Sequence, residues 1–323
     1  MSNSSQKALL IRTLSKHLHG DEQLSAYVLM DPMLRAPFEQ ELLDDLSCEV
    51  FIVPAKSHSL EEGQQPRLIR LGPKAAELLD ESISRMLEEQ SDPQSEVARG
   101  FAMGGWLLTT VSGSALAKHL AFCMRRTLYL KDTWKFFRWQ DRRVMEWMWP
   151  ALTLRQQGAL LGPITQWWTL DRRDQLCAYS VVPSDDASTR TSAGVVLSAE
   201  QIRHAERCEL IQTVMRGWRS FSSGLPADYL RTVDQIVSMA LERGVESQQD
   251  VVLLAAYALQ VHPQLLAHPQ VLTMIDQAKK QASPLSTLLG TVKDPQGWHA
   301  IRTDLESDNF TIGKNHLGVL ANG

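Results

Sequence analysis

Residues 137–150 read FRWQDRRVMEWMWP, with three tryptophans and five formal charges in fourteen positions. The segment is predicted to turn a strand into a helix, and the partners of its charges decide the architecture around it. Just upstream, Trp134, Phe136 and Arg138 alternate with Lys135, Phe137 and Trp139, which sets large aromatics on both faces of the expected strand. A strand of that kind is buried between layers rather than laid open. Asp141 stands at the expected helix start, where its carboxylate accepts the first free amides of RRVMEWMW, worth about 1 kcal/mol. Arg138 shares a face with Phe136 and would be drawn out of water, where an unpaired guanidinium costs several kcal/mol. Its candidate partners are Asp141, three residues on, and Asp31, at the end of the first expected strand.

Outward from this corner, AYVLMDP (26–32), CEVFIVP (48–54), RLIRLG (67–72) and FAMGGWLLTT (101–110) are short runs read as strands. MLRAPFEQELLDDL reads as a helix. In KAAELLDESISRMLEEQ (74–90), Ala75, Leu78, Leu79, Ile83, Met86 and Leu87 fall on one helical stripe with carboxylates opposite. Ser114 is expected to cap the helix ALAKHLAFCMRR. TLYL and WKFFRW bracket Lys131-Asp132-Thr133, the length of a three-residue hairpin turn. Thr153 and Gln156 form a capping box, and the helix they open is stopped by Gly162-Pro163. ITQWWTL and LCAYSVV complete the strands.

PSDDASTRTSAG (183–194) is turn and linker chemistry throughout. Beyond it the pattern is helical only. Ser198 and Gln201 form a second capping box, and Ile202, Ala205, Cys208, Ile211, Met215 and Trp218 continue one stripe. Gly244 ends one further helix and Ser247 opens another. The first twenty residues read as an amphipathic helix or a loosely held extension. The expected layout is an N-terminal extension (1–23), an α/β domain with a mixed sheet flanked by helices (24–182), and a linker (183–197). A small all-α helical-bundle domain (198–282) and a weakly patterned tail (283–323) follow.

Hydrophobic residues make up 44% of the 323 positions and charged residues 22%, with a net charge of −4. No global field draws such a chain to nucleic acid or anionic lipid. Cys48, Cys123, Cys177 and Cys208 are scattered without a Cys-x-x-Cys pair, as reduced cytoplasmic thiols are. The start, MSNSSQKALLIRTLSKHLHG, lacks the apolar run and cleavage site of a secretion signal. No run reaches the length of a membrane span. A cytoplasmic protein with no membrane partner is expected.

Chemical motifs are absent: no phosphate-binding glycine loop, no His-Glu-x-x-His and no nucleophile elbow. Ser112-Gly113-Ser114 lacks the second glycine of an elbow. His17-x-His19 has no further ligands beside it, and His119 has neither carboxylate nor cysteine close in sequence. No catalytic, cofactor or metal residues are assigned. Seven of the nine tryptophans lie between 106 and 168, interleaved with Arg125, Arg126, Lys131, Lys135, Arg138, Arg142 and Arg143. That mixture suggests a stacking platform for nucleic acid, but aromatics on both strand faces and the negative net charge argue against it. The surviving enzymatic rival is a hydrolase whose carboxylates, Asp31 and Asp141, are assembled by the fold.

Tyr27-Val-Leu-Met-Asp31, then Arg138-Trp139-Gln140-Asp141-Arg142-Arg143-Val144, then Leu161-Gly162-Pro163-Ile164 with Trp167, resemble the recurring motifs of the type VI secretion effector adaptors, also called effector chaperones. Arg138, Asp141, Arg143 and Val144 match the family's motif. Arg142 stands where a proline is common, which leaves the helix start less pre-set. The likeness spans about residues 24–175, and ALERGVESQQDVVLLAAYALQVHPQLLAHP resembles the family's C-terminal region. It implies a non-enzymatic protein that binds a cognate secreted effector in the cytoplasm and helps load it onto the valine-glycine repeat (VgrG) spike protein. Trp218 and Phe221, and Trp298 as the large anchor of the tail, are candidate partner contacts, with helix packing as the alternative role.

Overall fold

The computed structural model describes residues 3–307, except 19, 22, 34–35, 39, 46–47, 55–61, 73–74, 126, 131–132, 182–193, 223 and 282. Its strands are β1 (Ser25–Met30), β2 (Val50–Ile52), β3 (Arg67–Arg70), β4 (Met103–Thr109), β5 (Leu128–Leu130), β6 (Thr133–Lys135), β7 (Ile164–Leu170) and β8 (Leu176–Tyr179). Six of them form one sheet in the order β2-β3-β1-β4-β7-β8, while β5 and β6 pair as a separate ribbon. Every pairing is antiparallel, where a mixed sheet was expected. The long connection from β4 to β7 returns the chain in the opposite direction, so no parallel crossover is built between these neighbours.

The helices of the first unit are α1 (Asn3–Leu18), α2 (Gln40–Asp45), α3 (Ala75–Ser91), α4 (Pro93–Arg99), α5 (Gly113–Arg125), α6 (Arg142–Met148), α7 (Leu154–Leu161) and α8 (Ala199–Glu206). β1 and β4 carry almost no polar side chains, and both are buried nearly along their length. Alternation divides their residues between two apolar layers. Val28, Ile69, Trp106 and Leu108 face Leu78, Leu79, Ile83 and Met86 of α3 and Leu10 and Leu14 of α1. The buried Trp106 indole donates to Ser82 Oγ at 2.9 Å, so its one polar atom is satisfied. Of the two readings of the start, the amphipathic helix is the one found, and α1 adds to the core; Lys7 also reaches Asp80 at 2.7 Å.

The chain divides after Cys208 into two compact units, Met1–Cys208 and Glu209–Gly323. The second contains most of α9 (Cys208–Phe221), then α10 (Tyr229–Glu242), α11 (Gln248–Gln260), α12 (Pro269–Gln281), α13 (Leu285–Leu289) and α14 (Gln296–Glu306). Val233, Ile236 and Val237 of α10 and Val251, Leu254 and Ala255 of α11 are buried. The Arg302 guanidinium donates to the carbonyls of Val261, at 2.8 Å, and Gln260, which satisfies groups that the end of α11 leaves free. The segment expected as a tail therefore holds two helices up to Glu306, and residues 308–323 lie outside the described ones.

Local expectations were met unevenly. The capping boxes at Thr153/Gln156 and Ser198/Gln201 both form. Ser112, not Ser114, stands ahead of α5, its Oγ accepting from Ala115 N at 3.4 Å. Thr133, expected in the hairpin turn, instead pairs with Leu130; Lys131 and Asp132 lie outside the described residues. The strand expected to run to Trp139 stops at Lys135; Phe137 and Trp139 are still buried, but in irregular chain.

Gly104 and Gly105 let β4 approach its neighbours. A Cβ on Gly104 would lie 2.6 Å from Gln140 O, and one on Gly105, at φ +127°, 2.2 Å from Trp168 O. Gly105→Ala is therefore expected to cost about 3 kcal/mol through backbone strain and overlap. A thermal melt of the variant, lower by roughly 10 °C, checks this.

Candidate functional site

At the end of the sheet where β1 and β7 finish and β4 begins, the chain buries a cluster of ions. Asp31 closes β1. Its Oδ2 accepts from Arg138 Nη2 at 3.0 Å and from Gln140 Nε2 at 2.9 Å, and its Oδ1 from Met33 N at 3.0 Å. Arg138 stands 3.7 Å from Asp141 Oδ2, so of the two expected partners Asp31 is the closer. The guanidinium is nevertheless 28% exposed and only partly withdrawn from water.

Two tripeptides of identical sequence build the rest: Asp141-Arg142-Arg143 at the start of α6 and Asp171-Arg172-Arg173 in the turn between β7 and β8. In each, the aspartate Oδ1 accepts the backbone amide two residues on, at 3.0 Å from Arg143 and 2.8 Å from Arg173. In each, the same aspartate also takes the guanidinium of that third residue, with Nε at 3.0 and 2.9 Å. This Asx turn occupies the outer arginine and aims the middle one inward. Both middle arginines, Arg142 and Arg172, are buried.

Inside, Arg172 grips Glu96 of α4 with two hydrogen bonds of 2.9 and 2.8 Å, the geometry that a guanidinium fork favours. Arg143 adds a third, at 3.0 Å. Arg142 donates to Glu89 Oε2 at 3.2 Å and to Met86 O at 3.1 Å. Glu89 turns its other oxygen to the amides of Ala102, at 2.7 Å, and Met103, at 3.2 Å, and so fixes the start of β4. The Phe101 ring sits among three guanidiniums, with Arg142, Arg143 and Arg172 at 4.1, 5.0 and 5.5 Å from its centre. Its negative face adds to the attraction felt by these cations.

The fields follow from this packing. Burial pushes the Asp141 carboxyl up, but the charge and hydrogen bonds of Arg143, with Arg138 behind them, hold it below its ordinary value. Glu96 is likewise held low against burial by Arg172 and Arg143. Burial pulls Arg142 down more than Glu89 raises it. Glu146, half-buried on α6, is pushed up to about 8 by burial, with Asp171 adding to the push and Arg172, Arg142 and Arg173 opposing it.

The other expected site residues take structural places. Gly162 ends α7 at φ +52°, and a Cβ there would meet the His119 ring at 2.3 Å. Pro163 O accepts from Thr109 Oγ1 at 2.8 Å. His119 Nε2 donates to Leu160 O at 2.8 Å, and Cys123, one helical turn on and missed in the sequence reading, has its Sγ 3.6 Å away. His17 packs on Trp168 with ring centres 4.5 Å apart. Two of the candidate partner contacts are corrected: Trp218 and Trp298 are buried by helix packing, and Trp298 lies 4.6 Å from Tyr257. Phe221 is exposed. Sequence reasoning also missed Arg142, Arg172, Glu89, Glu96 and Phe101; the repeated Asp-Arg-Arg was the available signal.

Among the described residues, no group of three or more His, Cys, Asp and Glu side chains forms a potential metal site. No described helix is long and apolar enough to cross a membrane. Comparison with family models, with curated proteins and with solved structures returns no match. The likeness to effector adaptors accordingly rests on the motifs quoted above.

Removing one partner of a buried pair strands the other, at about 3–5 kcal/mol. Arg142→Met is expected to lose that much stability, read by denaturant unfolding of the full chain. Glu146 gives a pH effect of definite sign. Unfolded, its carboxyl ionises near 4.3, whereas folded it holds its proton up to about 8. Over that interval the folded state binds the extra proton, so this group makes stability fall as pH rises. Glu146→Gln should flatten that fall, measured as Tm against pH between about 5 and 8. Asp141 and Glu96 act oppositely, since their contribution is complete above the ordinary carboxyl range and is lost as pH drops through their lowered values.

Proposed function

We propose that the chain is a non-enzymatic adaptor of the effector-chaperone kind, which binds a cognate type VI effector in the cytoplasm and helps load it onto the valine-glycine repeat spike. One observation carries this reading. Asp31, Arg138, Asp141 and Arg143, the charged residues of the family-like motif, are bonded to one another and to Glu96. Charges matched in this way brace a scaffold and have little left to offer a reacting substrate. A connector also needs surface, about 800 Å² for each partner, and the chain offers two separate compact units.

The rival hydrolase reading needs Asp31 and Asp141 open to substrate; both are 3% exposed. The test is co-purification of the tagged full chain from cells expressing the effector and spike encoded beside its gene. Both are expected in the eluate. Recovery of neither, with both expressed, would overturn the adaptor reading, as would turnover of a substrate that Asp31→Asn abolishes without lowering Tm.

A further inference from the structure

We propose that the cleft between α7 and α8 is the docking site for an acidic, apolar-flanked segment of a protein partner. The proposal rests on the adaptor reading and names a surface for it. The cleft measures about 1040 Å³, and Arg155, Arg203, Arg207, His204 and Val196 line it with Glu200 as the opposing charge. It is at the upper limit of small-molecule sites, which span roughly 300–1,000 Å³.

Its floor is rigid and chemically complete. Gln156 and Gln201 are the closing residues of the two capping boxes, and they also bond each other. Gln156 Nε2 donates to Gln201 Oε1 at 2.9 Å, and Gln201 Nε2 donates back to Gln156 Oε1 at 2.8 Å. Their remaining amide hydrogens hold Val196 O at 2.8 Å and Ala151 O at 2.7 Å. Thr153 Oγ1 and Ser198 Oγ occupy first-turn amides of α7 and α8. Recognition therefore falls to the rim rather than to the floor or the helix ends.

The rim is cationic. Arg155 and Arg203 are exposed, and no carboxylate among the described residues is ion-paired with either. Arg207 is set in place by His204: Trp147 O can only accept, so His204 Nε2 carries the proton, at 3.1 Å, and its Nδ1 accepts from Arg207 Nη2 at 3.3 Å. His204 is itself fixed, stacked on Trp147 with ring centres 3.9 Å apart.

Apolar surface in and beside the cleft selects the class of occupant. Val196, in the lining, is 50% exposed. Leu154, which lies in the chain between the lining residues Thr153 and Arg155, is 74% exposed. A free anion would leave both in water, whereas a peptide that alternates carboxylates with apolar side chains covers them while pairing with the arginines. Nucleic acid fits less well, because Glu200 shares the lining and the whole chain is net negative.

The test is fluorescence anisotropy with a fluorescein-labelled peptide of repeated Glu-Glu-Leu, titrated with the full chain and with Arg155→Ala/Arg203→Ala. Wild-type binding is expected to weaken with salt, and the double variant to bind about tenfold or more weakly with unchanged Tm. A Lys-Lys-Leu peptide should not bind. Equal binding by wild type and variant overturns the proposal, as does equal binding of the two peptides. So does a labelled single-stranded oligonucleotide that binds more tightly than the acidic peptide, or a wild-type dimer in sedimentation that the double variant abolishes. The assay needs neither effector nor spike, so its failure is separable from failure of the adaptor reading, which co-purification alone decides.

Discussion

Two arginines withdrawn from water, Arg142 and Arg172, set the terms for the first unit. Each guanidinium must be matched where it lies, because a stranded buried charge costs more than most single contacts contribute. Glu89 and Glu96 answer them from the end of α3 and from α4, and Phe101 fills the space among the cations. The same bonds therefore fix four elements at once: two helices before the sheet's central strand, the start of α6, and the turn between the last two strands. None of these can shift without exposing or orphaning a charge. Bonds from Glu89 to the amides of Ala102 and Met103 extend the constraint into the middle of the sheet.

How far the sequence announces this arrangement depends on the range over which each residue acts. Strands such as SAYVLM and MGGWLLT, the capping boxes and the stop at Gly162 are set by near neighbours, and all were legible. Asp141 as a cap and Arg138 as a paired cation were legible for the same reason. The partners of Arg142 and Arg172 were not, since Glu89 and Glu96 stand 53 and 76 residues earlier in the chain. Along their own helices both carboxylates look like ordinary solvated positions. The start was legible only as an amphipathic helix or a loose extension: its short, interrupted apolar pattern gains meaning only from α3 beside it.

The twin Asp-Arg-Arg tripeptides show how a local rule produces a tertiary result. An aspartate that holds the amide and side chain of the residue two positions on leaves the intervening arginine to find a glutamate elsewhere in the chain. Repeating that turn at α6 and at the end of β7 brings two arginines to the Phe101 ring, each with its own glutamate. A lysine at position 172 would keep the charge but lose the planar fork that binds Glu96 through two parallel bonds. The twin capping boxes follow the same logic, because Gln156 and Gln201 each complete a helix end and then join the two ends together.

The arginines of the sheet end and those of the α7–α8 cleft meet different fates, and the difference lies in what the fold places beside them. Those at the sheet end are enclosed with carboxylates, and their charge is consumed in holding elements together. Arg155 and Arg203 stand over a floor whose hydrogen bonds are already complete and which supplies them no counter-ion. A cation left in that state keeps its full interaction energy for a group from outside, and in water it holds little with single small anions. It becomes selective only when an occupant also covers apolar surface nearby, and the exposed Val196 of the cleft offers such surface. Internal matching braces the scaffold, and the docking proposed for the α7–α8 cleft draws on the arginines that this matching leaves over.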